Sequence, residues 1–346
     1  MSAVMQEAAP QGAAAMVEVE GLRKQFRVRG AGFGAPAKVV HAVSGVSFSL
    51  QAGQTLGIVG ESGCGKSTLA RLLMGLIPAD DGRVSIAGAN LSQDAASLKA
   101  LRRRMQMVFQ DSFASLNPRL TIEDAIMFGP RVHGVPPDEA RARCHRLLER
   151  VGLDPARFAG RYPHEVSGGQ RQRVNIARAL ALQPQVVLFD ESVSALDKSV
   201  EIQVLNLLRD LKEEFGLTYL FISHDLNVVQ YISDVVMVMY LGKVVEIGPA
   251  EVLYERPAHP YTRALLASMP SMDPQRRTLQ APISGDPPSP IDPPSGCRFR
   301  TRCPHAAPVC GEREPALVDA QSGGARAACH LLDTASGHPL AGKELS

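Results

Sequence analysis

Nine consecutive residues, Gly60-Glu61-Ser62-Gly63-Cys64-Gly65-Lys66-Ser67-Thr68, follow the order glycine, four residues, Gly-Lys-Ser. Phosphate oxygens need several donors aimed at one point. Glycines let successive backbone N–H groups face inward, a helix beginning there adds its positive end, Lys66 brings a point charge, and Ser67 brings a hydroxyl for magnesium. A glycine turn ahead of a core helix would share part of this pattern, but both flanks suit phosphate: the apolar run Thr55 to Val59 before, and leucines at helical spacing after. Cys64 lies inside the loop, where a bulky adduct would fill phosphate space. Asp190-Glu191 closes a second apolar run, Val186 to Phe189. A carboxylate at a strand end can hold the magnesium shell, which suits Asp190, and leaves Glu191 to polarise a water in line with the γ-phosphate. Ser167-Gly168-Gly169-Gln170 opens a helix; its N–H groups and hydroxyl suit phosphate again, or an ordinary N-cap.

The elements that must carry these residues alternate. Met16 to Phe26 and Val43 to Leu50 read as strands of a hairpin with a glycine-rich tip, and Lys66 opens a helix whose leucine pattern (Leu69, Leu72, Leu73, Leu76) runs up to Pro78. Residues 111–168 read as a helical subdomain. Strands at Val186 to Phe189, Tyr219 to Ile222 and Val235 to Met239 alternate with helices over Val174 to Leu182 and Ile202 to Leu211. Such alternation calls for parallel crossovers, so the expected fold is α/β: a mostly parallel core sheet, an N-terminal antiparallel β subdomain, an inserted helical subdomain and a small cysteine-containing extension. The expected divisions are a flexible 1–15, a phosphate-binding α/β domain over 16–268, and an extension over 269–346 with a linker rich in proline (Pro282, Pro287, Pro288, Pro290, Pro293, Pro294).

Composition excludes several classes. The 37 basic and 35 acidic residues among 346 leave a net charge of +2, too weak a field to expect nucleic acid as a partner. The first fifteen residues lack a basic segment followed by an apolar one, so no signal peptide is expected. The most apolar stretch, Val228 to Leu241, is broken by Gln230, Ser233 and Asp234, so membrane contact is expected through partner subunits.

Together with Gln110, Asp197 and His224, the glycine loop, the acidic pair and the Ser-Gly-Gly-Gln run resemble the ATP-binding cassette family, in that order, over residues 17–270. The resemblance implies a Q-loop at Gln110, a D-loop at Asp197 and a switch histidine at His224. It further implies catalysis by Glu191, His224 and Gln110, magnesium held by Ser67, Gln110 and Asp190, and a signature, Ser167 to Gln170, that acts on a partner's nucleotide. An aromatic residue upstream of the loop should stack on adenine: Phe26, or alternatively Phe33. Residues 107–119, Val193-Ser194-Ala195-Leu196-Asp197, His259-Pro260-Tyr261-Thr262-Arg263-Ala264-Leu265-Leu266, and the tail around Gly296-Cys297-Arg298-Phe299 and Arg302-Cys303-Pro304 are similar to the ATPase subunits of bacterial dipeptide and oligopeptide importers. That likeness implies ATP as substrate, a second ATPase subunit (identical or homologous), two transmembrane permeases, an extracytoplasmic peptide-binding protein, and a peripheral place on the cytoplasmic face of the plasma membrane. Val166 and Ser192 depart from the common pattern, where Leu or Phe opens the signature and Pro follows the glutamate. Rival readings are a cassette for another solute (nickel, a glutathione-like compound or a drug) and a non-transport cassette protein.

Cys297, Cys303, Cys310 and Cys329 crowd the tail, separated by five, six and eighteen residues. Four thiolates suit a [4Fe–4S] cluster or tetrahedral zinc, and the absence of short C-x₂₋₄-C knuckles favours iron and sulfur. Disulfides rank third in a reducing compartment. Such a stretch is expected to build no core of its own and to need the cross-link.

Overall fold

The computed structural model describes residues 15–28, 37–269, 285–320 and 323–343. Strands β1 (Val17–Val28) and β2 (Lys38–Leu50) pair antiparallel, followed by β3 (Thr55–Val59) and helix α1 (Lys66–Leu73). Next come β4 (Asp81–Ile86), β5 (Ala89–Asn90), α2 (Ala95–Arg104) and β6 (Met105–Val108). Helices α3 (Ile122–Val132), α4 (Pro137–Arg150), α5 (Pro155–Phe158) and α6 (Gly168–Leu180) precede β7 (Val186–Asp190), α7 (Lys198–Phe215) and β8 (Thr218–Ile222). The chain continues through α8 (Leu226–Ile232), β9 (Val235–Tyr240), β10 (Lys243–Pro249), α9 (Ala250–Glu255) and α10 (Pro260–Ala267). The tail adds α11 (Pro308–Glu312), β11 (Val318–Asp319) and β12 (Arg326–Ala327). The tip residue Phe33 and Pro282 lie outside the described residues.

Two sheets result. One is antiparallel, in the order β2-β1-β4-β5; the other runs β11-β12-β10-β9-β3-β8-β7-β6. The five strands β6, β7, β8, β3 and β9 are parallel, and β10, β12 and β11 join antiparallel. Every residue of β3, β7 and β8 is buried, as expected when both faces of a parallel sheet are covered. Alternation sorts their side chains between two cores. Val187, Phe189, Tyr219 and Phe221 pack with the helices α3 to α8, whereas Leu188, Leu220 and Ile222 pack with α1 and the antiparallel sheet.

Helix α1 ends at Leu73, before the leucine pattern does. Gly75 turns with φ +60°, and Leu76, 47% exposed, donates its N–H back to Arg71 O. This is a glycine stop, ahead of the proline stop expected at Pro78.

The tail, which builds no core of its own, borrows one from the cassette. Strand β12 pairs with β10 through Glu246–Ala327 and Ile247–Arg326. Phe299, 2% exposed, stands against Tyr240 and Tyr261 with ring centroids 5.4 and 5.3 Å away. His259, the N-cap of α10, accepts the Tyr261 N–H at Nδ1, and its own backbone N–H goes to the buried Glu246 carboxylate. Complete burial pushes the His259 pKa down to about 3, so the imidazole that seats the tail is neutral.

Candidate functional site: a nucleotide site

The glycine loop, Glu191, Gln110 and His224 all follow the C-terminal ends of parallel strands β3, β7, β6 and β8. That edge of an open α/β sheet is where ligands bind, because the loops there diverge and leave a crevice. The loop's shape is steric. Gly60 and Gly65 have φ of +148° and +110°, and a Cβ on either would come within 2.2 Å of a backbone oxygen, that of Met239 or of Ala42. Neither oxygen can swing away. Lys66, 6% exposed, is turned into the loop, donating from Nζ to Gly60 O at 2.6 Å and Glu61 O at 3.1 Å. The Cys64 side chain is 3% exposed and packs in the core beneath the loop with its sulfur 3.7 Å from the Lys66 amine, so it does not border phosphate space as its sequence position suggested. Burial raises its thiol pKa, with Lys66 acting the other way.

Ser67 Oγ lies 3.3 Å from Asp190 Oδ1. Burial lifts the Asp190 carboxyl above its ordinary range, against the Ser67 hydrogen bond; a cation bound there would reverse that shift. Glu191 is non-glycine yet sits at φ +46°, a strained conformation of the kind that accompanies functional positions. Its Oε2 accepts a hydrogen bond from Gln110 Nε2 at 2.9 Å and lies 3.6 Å from His224 Nδ1. Three strand ends thus converge on one carboxylate, which can hold and deprotonate a water if a phosphate stands in line.

Ser167 to Gln170 form a complete capping box. Ser167 Oγ accepts the Gln170 N–H, and Gln170 Oε1 accepts the Ser167 N–H. The N-cap reading is therefore realised, while Ser167 and Gly168 remain exposed at the start of α6. A Cβ at Gly168 would meet nothing within 4 Å; at Gly169 it would strike Val200 at 2.6 Å. Asp197 caps α7, exposed and without a side-chain cap bond, and the next residue, Lys198, bonds Asp225, the neighbour of His224, at 2.7 Å. Phe26 is 38% exposed, with Lys24 Nζ 5.6 Å from its ring centroid.

Several positioning residues carried no motif. Asn175 of α6 accepts from Ser115 Oγ at 2.9 Å and donates to Ser112 O at 3.1 Å, and Arg178 bonds Ser115 O, so the helix behind the signature grips the segment after Gln110. No sequence signal set them apart, since Arg171 and Gln172 make the same face of α6 polar one turn earlier. Tyr261 Oη accepts the Glu61 N–H at 3.0 Å, and the tail's Arg302 donates to both Glu61 carboxylate oxygens at 3.1 and 2.8 Å.

A model of the ABC transporter family matches residues 43–194, and one for the oligopeptide/dipeptide transporter C-terminal region matches residues 245–310. The chain is 50% identical over 324 residues to the "Probable peptide ABC transporter ATP-binding protein y4tS" of Sinorhizobium fredii, spanning 92% of this chain and 90% of the relative. The chain belongs to the ABC transporter ATP-binding family. To the "Oligopeptide transport ATP-binding protein AppF" of Bacillus subtilis this ABC ATPase is 49% identical over 326 residues, 91% of this chain and 97% of the other. Its structure is similar to cbiO1 of Clostridium perfringens, part of the ABC transporter complex cbiONQ, with TM-score 0.61, 27% identity, and 70% and 91% of the two chains covered. It also resembles the ATP-binding cassette MJ0796, in a dimeric post-hydrolysis state bound to ADP and Pi: TM-score 0.60, 29% identity, 68% and 99% covered. No helix among the described residues is long and apolar enough to cross a membrane.

The four tail cysteines border one cavity of about 10 Å³, together with His259, His330 and His338. Burial lifts the thiols of Cys297 to about 11 and Cys329 to about 12, and raises Cys303 as well; cysteine neighbours add to the shift in all three. The donors suit a thiolate-bound group, but the spacing does not: among the described residues no three His, Cys, Asp or Glu side chains are gathered closely enough to hold a metal ion. A cavity that admits about one water centre cannot enclose a four-iron cube without opening.

Proposed function

We propose that this ABC ATPase drives import of dipeptides or oligopeptides through a membrane transporter. The observation that carries the reading is the seating of an oligopeptide-type C-terminal region on the nucleotide loop of the same chain. In this reading the loop's N–H groups and Lys66 hold the phosphates of ATP, and Phe26 covers adenine. Ser67, Asp190 and Gln110 hold magnesium, which when bound supplies charge neutralisation at the phosphates. Glu191 orients and deprotonates the attacking water, and Gln110 and His224 hold that carboxylate in place. Ser167, Gly168, Gly169 and Gln170, with the Asp197 loop, serve the nucleotide of a second ATPase subunit.

Coupling to the membrane follows from the segment after Gln110. Phe113 and Phe128 are 55% and 62% exposed, and Arg171 lies 4.9 Å over the Phe113 ring. These apolar faces suit docking of two permease subunits, which would hold the ATPase at the cytoplasmic face of the membrane and receive peptide from an extracytoplasmic binding protein. Purification with the native permeases into proteoliposomes tests the reading. ATP turnover should rise with peptide-loaded binding protein, and peptide should accumulate inside. Stimulation by nickel or another non-peptide solute instead would overturn the peptide assignment.

For the thiols we propose that Cys297, Cys303, Cys310 and Cys329 hold an iron–sulfur cluster only after the tail around them rearranges, since among the described residues no three such side chains are gathered closely enough to ligate a metal ion. Support comes from four cysteines on one cavity, Cys310 and Cys329 buried and Cys297 and Cys303 half-buried. Iron with acid-labile sulfide in anaerobically purified chain would sustain it. Stoichiometric zinc would replace it, and four free thiols without metal would end it.

A further inference from the structure

Among the described residues, an ion pair joins the C-terminal tail to the phosphate loop across 241 positions. Arg302 Nη1 donates to Glu61 Oε1 and Oε2 at 3.1 and 2.8 Å, and it also lies 3.4 Å from Tyr240 Oη. Side-chain exposure is 7% for Arg302 and 23% for Glu61. A guanidinium that far out of water is costly unless paired, so its position is dictated by the carboxylate it meets. Glu61 is held at its other polar groups too: its N–H by Tyr261 Oη at 3.0 Å, its carbonyl by Lys66 Nζ at 3.1 Å. The path from tail to phosphate-binding amine is therefore Arg302, Glu61, Lys66. Arg302 itself is anchored, since Phe299 is buried among Tyr240 and Tyr261, and Cys303 packs against the same core.

We propose that Arg302 is a positioning residue for ATP: the tail neutralises Glu61 and fixes its backbone, so that Lys66 and the loop stand ready for the phosphates. The pair does two jobs. It holds the second residue of a loop whose conformation decides where the N–H groups point. It also cancels a carboxylate that would otherwise repel a polyphosphate a few residues away. Displacing the tail would then weaken nucleotide binding without touching Glu191, making the C-terminal region part of the nucleotide site.

The inference rests on reading residues 60–68 as the nucleotide site, and the experiment separates the two. ATP affinity, KM and kcat are measured on the assembled transporter for Arg302→Ala, Arg302→Lys, Glu61→Gln, the double variant Arg302→Ala/Glu61→Gln, and Lys66→Ala. Arg302→Ala should weaken ATP binding and raise KM about five- to tenfold while kcat changes less than about twofold. Arg302→Lys, which keeps the charge, should restore most of the loss. In the Glu61→Gln background the Arg302→Ala effect should shrink below about twofold, because the charge it leaves behind is gone. Should Arg302→Ala not fold, Arg302→Gln carries the same expectation. Unchanged affinity in the Arg302 variants, or an equal loss with and without the Glu61 carboxylate, overturns the proposal. Lys66→Ala binding ATP normally would instead overturn the nucleotide site itself.

Discussion

The two regions of this chain proposed to face phosphate are satisfied in opposite ways. Around the glycine loop the polar groups are met by distant elements: Ser67 by Asp190, Glu191 by Gln110, Glu61 by Tyr261 and Arg302. At the start of α6, the side chains of Ser167 and Gln170 each accept the other's backbone N–H, and Gly168 faces open space. The first is a site braced by its own fold. The second is a helix N-terminus whose local needs are met and whose outward donors are free for an anion from elsewhere. In the proposed reading one chain carries two half-sites, one for its own nucleotide and one suited to a partner's.

Each half can be broken separately. The largest effect belongs to the braced half: Glu191→Gln removes the base but keeps its shape, so ATP should still bind while turnover in the assembled transporter falls ~10²-fold or more. Near-normal steady hydrolysis would remove Glu191 from that role. Next in size is the reactivity of Cys64. Its burial, and a thiol pKa raised by that burial, should make alkylation of native chain at neutral pH roughly 10²-fold slower than of denatured chain, read by mass spectrometry. Labelling at the denatured rate, with protection by ATP, would put the sulfur on the phosphate side after all.

The outward half should respond only in the assembly. Ser167→Arg should leave ATP affinity of the isolated chain unaltered and lower turnover of the transporter about tenfold or more, by crowding the partner's nucleotide. A matching loss of affinity in the isolated chain would contradict the division. The smallest effect contrasts two adjacent glycines. Gly168→Ala should leave stability unchanged or raise it by up to about 1 kcal/mol, since a helical Ala has less entropy to lose. Gly169→Ala should lower it by about 1–3 kcal/mol, because its Cβ would strike Val200 at 2.6 Å. Denaturant unfolding of the isolated chain measures both.

The two halves were also unequally legible in the sequence. Glycine spacing between an apolar strand and an amphipathic helix identified the loop, and Asp190-Glu191 stood out because a fully buried strand led into it. These are local signals. Gln110 and His224 became site residues only through the family likeness, since neither sits in a pattern that demands its chemistry. The Arg302–Glu61 pair was illegible: no periodicity links residues so far apart, and Glu61 read only as a member of the glycine loop and Arg302 only as part of the tail likeness. The tail's seat on the cassette was hidden for a related reason. Its strands β11 and β12 are two residues each, too short to alternate, and Phe299 reads as one aromatic in a proline-rich stretch until β10 and α10 supply the surface that buries it. The four cysteines were visible as a cluster in sequence, but their spacing says nothing of how closely their sulfurs meet.

The claim that one chain holds two complementary half-sites is tested most directly by ATP turnover per chain as a function of concentration, from high dilution to the assembled transporter. Shared sites predict a slow rate at dilution that climbs steeply as two ATPase subunits meet, with Ser167→Arg abolishing the climb. A dilute chain that hydrolyses ATP as fast as the assembly, with or without Ser167, would contradict it.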